Sequence, residues 1–95
     1  MKKMLFSYNP NSGKGAVKAA LSDILSVFTR GGYDVMVHPT SCSGDAIEFI
    51  SRRAGEFDLI VSIGGDGMLH ELSYGLAAGK ANVPCGYIPS GTVND

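Results

Sequence analysis

Four short apolar runs alternate with segments of helical periodicity, and that alternation leaves few folds open to the chain. Met4-Leu5-Phe6-Ser7-Tyr8 is apolar and ends at Asn9-Pro10, as a buried strand would. Val17, Ala20, Leu21, Ile24, Leu25 and Phe28 then recur on one face of a helix from about Gly15 to Thr29, which Gly31-Gly32 stops. Val35-Met36-Val37 is a second strand, ending at His38-Pro39. A polar loop follows, then a helix from about Asp45 to Ala54 with Ala46, Ile47, Ile50 and Ala54 inward. Asp45 sits in the first turn, where the helix dipole favours an anion. Asp58 to Ile63 is rich in β-branched residues and reads as the third strand. Leu69, Leu72 and Leu76 mark a third helix, with Gly79 as its stop, and Cys85-Gly86-Tyr87-Ile88 is the fourth strand.

The order is βαβαβαβ. Short apolar strands joined by helices imply a three-layer α/β/α domain with a mostly parallel sheet and right-handed crossovers. The 95 residues suffice for one domain. After Pro89-Ser90-Gly91 the alternation calls for another helix. Residues 1–95 therefore read as the front domain of a longer protein, cut before that helix.

Several functional classes drop out early. A formal net charge of −1 lacks the basic footprint of a nucleic-acid binder. The opening Met1-Lys2-Lys3 imitates a signal peptide, but Ser7, Asn9 and Pro10 break the apolar run too soon. No stretch reaches the ~20 apolar residues of a membrane span. Cys42 and Cys85 have no metal-ligand spacing and read as free thiols of a reducing cytoplasm. His38 and His70 have no partner nearby in sequence, so neither reads as a ligand or a general base.

Ligands of open parallel sheets bind outside the carboxyl ends of the strands. The glycine-rich and polar segments fall there. Asn9-Pro10-Asn11-Ser12-Gly13-Lys14-Gly15 follows the first strand. It is no P-loop, because Tyr8 and Gly15 stand where that motif needs Gly and Ser or Thr. Small residues at a helix start still offer N–H groups to an anion, and Lys14 adds a charge-assisted bond to phosphate. Gly64-Gly65-Asp66-Gly67 follows the third strand. Its glycines permit positive φ and a close approach of ligand to backbone. Asp66 would repel phosphate unless it binds a ribose hydroxyl or faces a metal through water. Pro89 to Asp95 follows the fourth strand. There Thr92 and Asn94 suit phosphate oxygens or a base edge, and Asp95 suits Lys14 or a hydrated metal. Met68 and Leu69 read as core packing.

Taken together, the three segments resemble the diacylglycerol kinase catalytic-domain family, which includes sphingosine and ceramide kinases and bacterial lipid kinases. Asn9-Pro10-Asn11-Ser12-Gly13-Lys14 is similar to its opening motif. Gly64-Gly65-Asp66-Gly67 with Glu71 is similar to its glycine-rich signature, and Pro89-Ser90-Gly91-Thr92-Val93-Asn94-Asp95 to its third motif. The resemblance implies an ATP-binding domain of a two-domain kinase whose second, β-rich domain carries the catalytic base and structural magnesium ligands. Nucleotide contacts would come from Asn9, Ser12, Gly13 and Lys14, from Thr40, from Gly64, Gly65, Asp66, Gly67, Met68, Leu69 and His70, and from Gly91, Thr92 and Asn94. The implied cofactors are ATP and Mg²⁺, with Asp66 and Asp95 reaching the metal through water. The implied partners are a nucleotide and a lipid acceptor met by a cytoplasmic protein at the membrane surface. The family commonly has Thr where Met68 stands and Asn where His70 stands. A noncatalytic nucleotide-binding module, or a soluble kinase of the NAD-kinase type, stays open as the alternative.

Overall fold

A computed structural model describes residues 1–10, 16–40 and 44–89. Strand β1 (Lys2–Tyr8) leads to α1 (Ala16–Arg30), β2 (Tyr33–Pro39), α2 (Asp45–Arg53), a 3₁₀ turn (Ala54–Glu56), β3 (Leu59–Gly64), α3 (Asp66–Ala78) and β4 (Cys85–Pro89). Among the described residues the sheet has the order β2-β1-β3-β4, and every pairing is parallel. The expected βαβαβαβ order and α/β class are therefore found. From β1 the chain steps to β2 on one side, then crosses back over β1 to β3 on the other and on to β4. The switch between β1 and β3 opens a crevice at their carboxyl ends.

The two faces of the sheet carry separate cores, because side chains alternate along each strand. Met4, Phe6, Tyr8, Val61 and Ile63 pack with Val17 of α1. Leu5 and Ile60 pack on the other face with Ala46, Ile50, Met68 and Leu72 of α2 and α3. This is the three-layer arrangement that right-handed crossovers produce. Phe6 is fully buried between Tyr8 (ring centroids 5.8 Å apart) and Phe28 (5.5 Å). Each such side chain contributes about 1.5–3 kcal/mol through burial.

Turn chemistry fixes the element ends. The Gly31 amide bonds the Val27 and Phe28 carbonyls, and Gly32 takes φ +93, a left-handed exit from α1 that suits glycine. Gly44 takes φ +89 just before α2. Helices α2 and α3 then approach each other closely at Gly75 and Gly79. A shallow cleft of about 320 Å³ near the amino ends of β1 and β2 is lined by Lys3, Asp34, Met36 and Arg53 among others. It lies at the end of the sheet opposite the crevice. There Arg53 grips Glu56 through two bonds of 2.7 and 2.9 Å. The hydrogen bond from Arg53 holds the Glu56 carboxyl below its usual range, and Lys3 adds to the effect.

Candidate functional site

The carboxyl ends of the strands bring several sequence candidates to one rim. Tyr8 pairs with Pro39 and Ile63, and Gly64 pairs with Pro89. Asn9 continues β1 onto that rim. Thr40 follows β2, and its amide bonds the Tyr8 carbonyl at 2.9 Å. Its hydroxyl lies 3.4 Å from the same oxygen, so Thr40 is tied to the end of the central strand. Ser12, Gly13, Lys14, Gly91, Thr92, Asn94, Asp95 and Cys42 lie outside the described residues, as does the side chain of Asp66.

Gly64 ends β3 and Asp66 begins α3, so the glycine-rich segment is a single tight junction. Gly65 is extended (φ −86, ψ −168), and its carbonyl accepts from the amides of Met68 (3.0 Å) and Leu69 (3.3 Å). Positive φ among the described glycines occurs at Gly32 and Gly44, not at the junction. The expected conformational reason for these glycines is thus replaced by room: a Cβ at Gly65 or Gly67 would meet none of the described residues within 4 Å. The fold requires neither glycine. The open space lies at the amino end of α3, a position suited to an anion.

The remaining candidates on α3 divide by face. Met68 is 6% exposed and belongs to the core with Leu5 and Leu72. Leu69, read as a core residue, is 41% exposed instead. The helix turns about 100° per residue, so Met68 and Leu72 share the inner face and Leu69 lies off it. His70 is exposed and meets Tyr74 edge-on at 4.4 Å.

The structure also gives partners that sequence separation concealed. His38 Nε2 lies 3.3 Å from Asp45 Oδ1, and its ring stacks on Phe49 at 3.9 Å. Glu71 reaches across from α3, where Oε1 accepts from the amides of Gly44 (3.1 Å) and Ala46 (3.2 Å) at the start of α2. Tyr87 donates its hydroxyl hydrogen to the Gly64 carbonyl (2.7 Å) and the Gly65 carbonyl (2.9 Å). The sheet register places His38, Ser7, Ser62 and Tyr87 in one lateral row beneath the starts of α2 and α3. The Ser7 and Ser62 hydroxyls in that row are fully buried and find no hydrogen-bond partner among the described residues. No pattern along the chain reveals this row, because it depends on which strands are neighbours.

No three His, Cys, Asp or Glu side chains among the described residues could together hold a metal ion. No helix among them is long and apolar enough to cross a membrane.

The diacylglycerol kinase catalytic domain, as a family model, matches residues 3–95. The chain belongs to that family. A diacylglycerol kinase of Bacillus subtilis (strain 168) is 42% identical over 96 residues, spanning 100% of this chain and 32% of the relative. One of Staphylococcus haemolyticus (strain JCSC1435) is 40% identical over 89 residues, spanning 93% and 27%. A crystal structure of a diacylglycerol kinase from Bacillus anthracis str. Sterne superposes with a TM-score of 0.78 at 32% identity, covering 99% of this chain and 35% of that one. The chain thus spans about a third of the length of the family members it matches.

Proposed function

We propose that this chain is the nucleotide-binding domain of a lipid kinase that moves the γ-phosphoryl of ATP onto a lipid hydroxyl. The observation that carries the reading is the junction between β3 and α3. There the fold places two glycines that it does not need, with free space above them, at the carboxyl end of a central strand. The names of the relatives support a diacylglycerol-like acceptor over a sphingoid one and over a soluble acceptor such as NAD.

In this reading the amides of Gly65, Asp66 and Gly67, with Ser12, Lys14 and Thr92, hold phosphate oxygens. Phosphoryl transfer depends chiefly on such positioning and on charge stabilisation. Thr40 and Asn9, which stand on the same rim, and Asn94 add contacts to the nucleotide. Asp66 and Asp95 orient the ribose or a hydrated Mg²⁺ carried by the phosphates. The catalytic base belongs to a second domain, outside these 95 residues. The protein works in the cytoplasm and meets its lipid at the membrane surface.

The full-length protein incubated with ATP, Mg²⁺ and diacylglycerol in mixed micelles is expected to form phosphatidate. The 95-residue chain alone is expected to form none. Turnover by the short chain would contradict the placing of the base. Failure of the full-length protein on diacylglycerol would contradict the lipid-kinase reading.

A further inference from the structure

We infer that Tyr87 is a positioning residue for phosphate recognition: its hydroxyl sets the direction of two peptide groups in the glycine-rich junction. The inference rests on the nucleotide-binding reading and adds a residue to it.

A phenol has one hydrogen to donate. Here it is shared between consecutive carbonyls, Gly64 at 2.7 Å and Gly65 at 2.9 Å. Two adjacent carbonyls are therefore drawn toward one point. In a planar trans peptide the N–H lies opposite the C=O. The amides that follow these carbonyls, those of Gly65 and Asp66, therefore point away from Tyr87. Successive N–H groups directed to one side form a concavity that binds anions. They stand at the start of α3, a helix of 13 residues whose dipole adds to their partial charge.

The clamp is anchored on both sides. Tyr87 comes from β4, whose register with β3 sets Tyr87 beside Ser62. The Gly65 carbonyl also accepts from Met68 and Leu69 in the first turn of α3. Without the hydroxyl, the two peptide carbonyls lose their bonds to Tyr87, and Gly65 has an extended backbone with no Cβ to restrict rotation. The chain would still fold, because Tyr87 also packs its ring against the core beneath α3. Its amides would need ordering by the ligand itself, which weakens binding.

Tyr87→Phe keeps the ring and removes the hydroxyl. Parent and variant are titrated with ADP and with adenosine, followed by ligand-observed NMR, with circular dichroism as the check on folding. The variant is expected to bind ADP about fivefold more weakly, the loss of one hydrogen bond's ordering. Adenosine binding is expected to be unchanged. Equal weakening of both ligands would overturn the inference, since it would mean a general structural role. Unchanged ADP binding in the variant would overturn it as well. A parent chain that binds neither ligand would overturn the nucleotide-binding reading, and the clamp with it.

Discussion

Replacing Gly79 with alanine is expected to cost about 3 kcal/mol of stability. A Cβ there would stand 2.5 Å from the Ser51 carbonyl oxygen and 3.0 Å from the Ser51 Cα. Both are backbone atoms of α2, so no rotamer change relieves the overlap. The helices must move apart, and their shared contact with the sheet loosens. Gly75 lies one turn earlier, and a Cβ there would meet the Ile50 side chain at 2.8 Å. The two glycines form the seam that lets α2 and α3 share one face of the sheet. Gly79 needs no unusual backbone, since its φ is −83 and its ψ −2. The penalty is therefore steric. Urea unfolding reads it as a lower midpoint with an unchanged slope. In a domain of this size, each kcal/mol lowers Tm by roughly 4–8 °C. Gly65→Ala is the internal control: its Cβ would meet none of the described residues within 4 Å, so its stability should stay within about 0.5 kcal/mol of the parent.

Glu71→Ala is expected to cost about 2–3 kcal/mol. One carboxylate oxygen accepts from two amides at the start of α2, at 3.1 and 3.2 Å. Gly44, immediately before that helix, contributes no side-chain cap. Glu71 therefore does from α3 what an N-cap residue does locally, and it adds negative charge where the dipole favours it. Removing it leaves two part-buried donors without that acceptor. It also releases the end of the segment that carries Thr40 and Gly44 to the rim. Glu71→Gln keeps an acceptor oxygen without the charge and should lose about half as much. Unfolding midpoints of the three proteins check the order. Equal stability of parent and Glu71→Ala would show that solvent replaces the carboxylate at no cost.

The elements were legible because the strands are short apolar runs and the helices keep one apolar face. Helix α1 follows the expected span within a residue at each end, since Val17 and Phe28 mark its inner face and Gly31-Gly32 its stop. The last turn of the second helix departs, because Ala54-Gly55-Glu56 tightens into a 3₁₀ turn. The rim was legible too, since glycine and polar residues cluster after strand ends. The reason for its glycines was not. Sequence cannot separate a glycine that needs positive φ, such as Gly44, from one that keeps space free, such as Gly65. The cross-chain partners were also hidden. Glu71 with Gly44 requires the packing of α2 beside α3, Tyr87 with Gly64 the pairing of β3 with β4, and His38 with Asp45 the setting of α2 against β2. Hydrophobic periodicity gives each helix a face but not a neighbour.

The central claim is that nucleotide phosphates sit at the β3–α3 junction. Calorimetric titration of the folded chain with ADP, with and without Mg²⁺, tests it most directly when parent, Gly65→Ala and Asp66→Ala are compared. The parent is expected to bind, and Gly65→Ala to bind about tenfold more weakly while remaining as stable, because its methyl group fills the space left for phosphate. Asp66→Ala is expected to lose the strengthening by Mg²⁺. A folded parent that binds no ADP at millimolar concentration, or a Gly65→Ala chain that binds as the parent does, would contradict the account.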